Sequence, residues 1–271
     1  VSLWFNSLPV LAFLASWRFN YPGVLPAIHW RPATHPETRR RLNAINRSFY
    51  EVAANDFDQT RAAPWPGWER LLPHLRLPLA VLDVGCGNGR FGLFLHDRLH
   101  PTASNPLTYT GLDSSLPLLE RARAALTDRV GLTLHLHPHD LTEQPLHLPP
   151  QDVIALFGVL HHIPGAAERA HLLRSLAAAL NPGGLLVLTV WRFLDFPRFR
   201  QRIIPWPEDI QPEPDDYLLD WRRGPYSLRY CHHTGDAELQ ALVAATNLIQ
   251  IDTFRADGPQ NRANLYLLLR R

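Results

Sequence analysis

The chain has 271 residues, 46% hydrophobic and 19% charged, with 8 Trp, 7 Tyr and 12 Phe. That suffices for one large α/β domain or two small ones with a real core, and it excludes a disordered chain. All 27 basic residues are Arg and the formal net charge is +2, so no global field points at nucleic acid. Cys86 and Cys231 are too few and too scattered for a disulfide framework or a zinc site, which suggests a reducing, cytoplasmic setting. Charge is uneven along the chain. Residues 1–79 hold nine Arg against five acids and form the only basic segment, a weak pointer to an anionic partner.

Residues 1–41 read as an apolar segment followed by a Pro- and Arg-rich linker. Val1–Trp17 is interrupted by Asn6 and Pro9, is short for a membrane span and lacks the positive charge that opens a signal peptide, so no firm membrane contact is expected. The linker, 18–41, carries four prolines and ends on Arg39-Arg40-Arg41. Cap helices are expected over 42–79. Leu42, Ile45, Phe49, Val52 and Phe57 approximate helical spacing, and Trp68, Leu71, Leu72 and Leu75 suggest a second, short helix. A core over 80–190 then alternates strands and helices. The strands are Ala80–Val84, Tyr109–Leu112, Leu132–Leu136, Val153–Phe157 and Leu185–Val190. The helices are Arg90–Leu99, Leu116–Leu126 and Ala166–Leu180, the last stopped by Asn181-Pro182-Gly183-Gly184. That alternation predicts a mostly parallel sheet with helices on both faces. Residues 191–234 form an insert. Residues 235–271 supply a helix, Asp236–Thr246, and a hairpin of Ile249–Phe254 with Leu265–Leu269 at the sheet edge.

Chemistry concentrates where strand Ala80–Val84 runs into Gly85-Cys86-Gly87-Asn88-Gly89, and where the next strand ends in Gly111-Leu112-Asp113. Glycines just past a strand let a ligand approach the backbone N–H groups at a helix start. An acid ending the next strand can accept hydrogen bonds from both ribose hydroxyls. A nicotinamide fold wants Gly-x-Gly-x-x-Gly; the spacing here is Gly-x-Gly-x-Gly. Asp83 adds a carboxylate that would repel a pyrophosphate but suits a cationic, amino-acid-bearing ligand.

This stretch resembles the first motif of class I S-adenosylmethionine methyltransferases, and the resemblance continues through Asp113, His139-Asp140-Leu141 and Asn181–Gly184. It implies a Rossmann-like, seven-stranded sheet with an antiparallel last strand, and S-adenosylmethionine as cofactor. By that likeness Asp83, Gly85 and Gly87 hold the methionine part, Asp113 the ribose, and Asp140 with Leu141 the adenine; Cys86, Asn88, Gly89 and Phe157 complete the cofactor site. The flanks, from Phe49-Tyr50 through Thr60-Arg61, Pro64-Trp65-Pro66, Leu160-His161-His162, Val190-Trp191, Arg229-Tyr230-Cys231-His232 and Asn264-Leu265-Tyr266, are similar to the wobble-uridine carboxymethyl tRNA methyltransferases. Cys231 departs from that family, which often has a second Tyr there. The likeness covers residues 42–271 and implies a tRNA substrate, with a small zinc-binding activator subunit as a candidate partner.

In that family the nucleophile is a carboxylate, already ionised near pH 7, so the protein must orient it and exclude water rather than supply a base. Arg61, Arg229 and Arg262 are the candidates to hold it, because bidentate Arg recognises carboxylates. His162 follows strand four at the carboxyl edge of the sheet and joins them, either touching the acceptor or serving as a base for a neutral one. Two other readings stay open: a small-molecule methyltransferase with 191–234 as a lid, and a non-catalytic tRNA-binding scaffold. His135, His137 and His139 share one strand face without a fourth ligand nearby, so no metal is expected.

Overall fold

Alternating apolar strands and amphipathic helices build the frame that carries the site. The structure is a computed structural model that describes residues 34–59, 63–146, 148–222 and 225–271. The apolar segment and most of the linker lie outside the described residues, as does Arg61. In chain order the elements are α1 (Pro36–Gln59), a 3₁₀ helix (Pro66–His74), β1 (Leu79–Val84), α2 (Arg90–Leu99), β2 (Leu107–Asp113), α3 (Leu116–Leu126) and β3 (Leu132–Pro138). Then come β4 (Gln151–Leu156), α4 (Ala166–Ala178), β5 (Leu180–Trp191), α5 (Pro197–Arg200), β6 (Ile203–Ile204), β7 (Asp216–Trp221) and β8 (Ser227–His232). The chain ends with α6 (Asp236–Thr246), β9 (Ile249–Ala256) and β10 (Asn264–Arg270).

The large sheet has the order β3-β2-β1-β4-β5-β10-β9, and β10 runs antiparallel to both β5 and β9. Successive residues of each strand point to opposite faces, so β1 sends Val81 to one core and Leu82 to the other, and β10 splits Leu268 from Leu267 in the same way. One face is covered by Phe91 and Phe94 of α2 and Leu119 and Leu126 of α3, together with Trp68. Leu172, Leu173 and Leu176 of α4 and Leu239 and Leu242 of α6 cover the other. Burial on both faces is what makes β1 and β4 read as continuous apolar runs. Truncating Trp68, 2% exposed among these rings, would cost about 3–5 kcal/mol.

Three departures from the expected elements have tertiary causes. First, α1 starts at Pro36, so Arg39-Arg40-Arg41 lies on a helix and not in a linker. Arg39 pairs with Glu168 of α4, and Arg41 with Asp209 at 2.7 Å, which ties the first turns of α1 to two other parts of the chain. Second, Asn181–Gly184 does not end a segment but bulges within β5. Gln151 pairs with Leu180 and Val153 with Leu185, and Asn181 donates to Asp152 across the bulge at 2.7 Å. Third, the insert builds its own antiparallel sheet, β6-β7-β8, with β8 against α1, where the Asn46 side-chain oxygen accepts from the Tyr230 backbone N–H at 2.9 Å.

Candidate active site

The carboxyl ends of β1, β2 and β4 open on a cavity of about 180 Å³. Its floor is the β1–α2 loop. Gly85 adopts φ +76°, and a Cβ there would strike Val159 Cγ2 at 2.3 Å, so only glycine fits. Gly87, at φ +54°, has open space where a Cβ would stand, which leaves its backbone bare to the cavity. Asp113 at the end of β2 braces the loop, accepting the Gly87 N–H at 2.8 Å on one oxygen and the Ser115 N–H at 2.8 Å on the other. Burial pushes the Asp113 carboxyl above its ordinary range, partly offset by those backbone donors.

The cavity brings together most of the expected cofactor residues. Gly85, Cys86, Gly87, Asn88, Asp113, Asp140, Leu141 and Phe157 all line it. Asp140 accepts from the Thr142 backbone N–H at 2.9 Å and from Arg47 at 3.2 Å. His139 Nε2 is buried in its wall without a hydrogen-bond partner, an atom a polar ligand would satisfy. Bare loop backbone, a carboxylate in the wall at the end of β2 and an unsatisfied imidazole nitrogen fit a nucleoside ligand such as S-adenosylmethionine.

Asp83 and Gly89 do not line the cavity. Asp83 is 3% exposed and accepts the Tyr109 hydroxyl at 2.6 Å, and burial above all pushes its carboxyl up to about 7. That hydroxyl, from β2, lies inside the core, so the Asp83 carboxyl faces protein and not the cavity. Gly89 faces α3, where a Cβ would meet Ala122 and Leu126 at 2.9 Å, so its smallness serves helix packing.

Next to the first cavity lies a larger one, about 530 Å³, sharing Trp65, Arg90 and Gly158 with it. Trp191 and Phe199 supply apolar wall, and Arg198, Arg202, Arg222 and Arg229 supply charge. Arg229 is 8% exposed, with its guanidinium carbon 4.9 Å from the Trp191 ring centre and 5.4 Å from that of Phe49. The same guanidinium reaches His161 Nε2 at 3.0 Å and His162 Nε2 at 2.8 Å. Arg262 is exposed and lines neither cavity.

His161, His162 and Cys231 place one ligand atom each within 4.8 Å of one another, a spacing a metal could use. The Arg229 guanidinium faces both imidazole nitrogens, however, and burial pushes the Cys231 thiol up to about 11. The donors are arranged around an organic cation, and a thiolate is disfavoured there. His135 and His137 are exposed on β3.

Sequence reasoning missed the contribution of α1. Asn43, Asn46, Arg47 and Tyr50 all line the cofactor cavity. Their spacing of three to four residues is one helix face, so the polar stripe flanking Leu42 and Phe49 is the available signal.

Comparison with known proteins agrees with this geometry. A methyltransferase domain family matches residues 82–186. The tRNA (carboxymethyluridine(34)-5-O)-methyltransferase of Arabidopsis thaliana is 30% identical over 144 residues, 52% of this chain and 31% of that protein. The carboxy-S-adenosyl-L-methionine synthase of Chromohalobacter salexigens is 34% identical over 155 residues, 53% of this chain and 54% of that protein. The chain therefore spans about a third of the tRNA-modifying relative and about half of the synthase. Among solved structures, the 1,6-didemethyltoxoflavin-N1-methyltransferase of Burkholderia thailandensis superposes with a TM-score of 0.60 at 20% identity, covering 89% of this chain and 92% of its own. That likeness establishes the fold.

Proposed function

We propose that this chain, which carries a class I S-adenosylmethionine-dependent methyltransferase domain, methylates a carboxylate on a modified wobble uridine of tRNA. The observation that carries the reading is Arg229, a desolvated guanidinium that lines the larger cavity beside the cofactor site. Such a group selects an anionic, planar acceptor over a neutral hydroxyl or amine. The aromatic rings and further arginines around it suit a splayed-out base with its phosphates, and the similarity to tRNA carboxymethyluridine methyltransferases points to the same acceptor.

When bound, S-adenosylmethionine supplies an electrophilic methyl group on its sulfonium. The chain's own residues orient and desolvate. Arg229 holds one carboxylate oxygen through N–H donors while the other stays free to attack in line. Trp65, shared by both cavities, and Trp191 exclude water from the junction. No residue needs to remove a proton, because the acceptor is already ionised at neutral pH. His162 accordingly acts on Arg229 and not as a base.

The decisive experiment incubates the protein with methyl-labelled S-adenosylmethionine and bulk host tRNA, then applies mild base. Label in tRNA that leaves as volatile methanol is the expected result. Label that resists base overturns the carboxylate acceptor. Unlabelled tRNA, with and without an added activator subunit, overturns the RNA substrate and favours a small carboxylic acid enclosed by 191–234. Absence of cofactor binding would favour the scaffold.

A further inference from the structure

Arg229 is a donor on every nitrogen, and its terminal NH2 stands within hydrogen-bond distance of two imidazole nitrogens, 3.0 Å from His161 Nε2 and 2.8 Å from His162 Nε2. A guanidinium has no lone pair to offer, so each of these nitrogens must accept. Each ring then carries its single proton on Nδ1. For His162 the acceptor of that proton is the Tyr230 carbonyl oxygen at 3.2 Å. The Asn46 amide nitrogen, 3.1 Å from the same Nδ1, is itself a donor, because Asn46 Oδ1 accepts the Tyr230 N–H; it pulls toward the opposite tautomer, and the Arg229 contact together with the Tyr230 carbonyl has to outweigh it. Tyr50 brings its hydroxyl to within 3.0 Å of the same ring's Nε2, whose one lone pair it shares with Arg229.

Resting on the reading of Arg229 as the acceptor's anchor, we propose that His161 and His162 are positioning residues whose neutral rings aim its guanidinium, so that protonating either ring releases the anchor and switches off acceptor binding. The two histidines follow β4 in the large sheet, whereas Arg229 sits on β8 of the small sheet. Their contact therefore joins the small sheet's charged group, in the larger cavity, to the edge of the cofactor cavity that His162 lines. An imidazolium would present an N–H to an N–H and a cation to a cation, in a setting where Trp191 and Phe49 keep water away from the guanidinium. Among the described residues, the titratable or charged groups facing the pair are Tyr50 from α1 and Arg229 and Cys231 from β8. Buried Cys231 keeps its thiol neutral, so it adds no charge to the cluster at working pH.

The test uses the wild-type protein, His161→Gln, His162→Gln and the double variant, whose amide oxygens can accept from Arg229 at every pH. With host tRNA as acceptor, wild-type kcat/KM should fall at least about tenfold per pH unit below the point where imidazole protonates. The fall should lie in acceptor KM, with cofactor affinity unchanged, and the acid limb should disappear in the double variant. An identical acid limb in wild type and double variant overturns the proposal. Nitrogen-15 spectra of the wild-type histidines at pH 8 give a readout independent of turnover: both rings should be Nδ1–H tautomers, and an imidazolium or an Nε2–H tautomer in either ring overturns it. This second measurement decides the matter should the double variant fail to fold. If Arg229→Ala leaves transfer to tRNA intact, the acceptor reading fails on its own while the tautomers still report the dyad.

Discussion

The short strand β8 carries two buried clusters of opposite character three residues apart. At Arg229 a guanidinium rests on two imidazoles that must be neutral to hold it. At His232 an imidazole lies between two carboxylates, 2.8 Å from Asp216 and 2.7 Å from Glu238, with Arg169 bonded to the same Glu238 at 2.8 Å. Burial alone would strip the proton from His232, but its hydrogen bonds to Asp216 and Glu238 outweigh that and raise it above its ordinary value. Glu238 is held below its ordinary range, because His232 and Arg169 outweigh the cost of burying it. Imidazoles thus accept from the strand's guanidinium at one position, while three residues on, the strand's own imidazole is shifted toward its protonated form, each decided by what it faces. The first cluster opens on a cavity; the second ties β8 to α4 and α6 and has no access to substrate, which suits stability and not turnover.

The contrast can be broken most severely at its structural end. Asp216→Asn removes one of the two carboxylates that hold the buried His232 ring and should destabilise the fold by about 3–5 kcal/mol at a pH below about 6.5, read from chemical denaturation. Arg229→Ala should do the reverse. We expect a loss of roughly 10²–10³ in transfer rate, while calorimetric cofactor affinity stays within about twofold and Tm moves little. A large Tm loss would mean that Arg229 holds the fold and not the acceptor.

Asp113→Ala tests the neighbouring cofactor cavity and should weaken S-adenosylmethionine binding about 10- to 100-fold by removing charged hydrogen bonds. Unchanged affinity would remove Asp113 from the ribose contact.

pH sharpens the comparison, because the two clusters respond with opposite sign. The folded state raises the His232 pKa, so its contribution to stability is complete below the unfolded value of about 6.5 and fades as pH rises through the folded value. The Tm advantage of wild type over His232→Gln should therefore shrink between pH 5.5 and pH 8.5, just where the Arg229 cluster becomes fully competent. The smallest effect belongs to Arg41→Ala. Its pair with Asp209 is exposed on both sides and should contribute at most about 1 kcal/mol. Because Arg39 and Arg41 are both engaged with acids, we expect tRNA affinity and its salt slope to shift little on their replacement, as filter binding across a salt series would report.

How much was legible beforehand varies with the range of the interaction. The β1–α2 loop, Asp113 and the breaks between elements are local. A glycine at positive φ after an apolar strand, or an acid at a strand's end, carries its meaning in a few consecutive residues. The three-stranded sheet of the insert was not legible, since Asp216–Trp221 and Ser227–His232 alternate weakly and their aromatic and Arg content suggests a surface instead. Its place in the motif makes Asp83 read as a ligand. Only the packing of Tyr109, 26 residues away, shows that its carboxyl is turned into the core.

By itself, then, the sequence determined the α/β alternation, the cofactor loop and the class of chemistry, because each follows from backbone preference and side-chain periodicity within one or two elements. Tertiary structure alone decided that Arg229 meets His161 and His162 across 67 to 68 residues, that Asn46 and Tyr50 of α1 close on the same ring from 112 to 116 residues away, and that His232 is sealed between two carboxylates. Those pairings have no period in the chain. They exist because two sheets and a helix, each placed by its own apolar face, bring polar side chains into one desolvated space where only complementary protonation states can coexist.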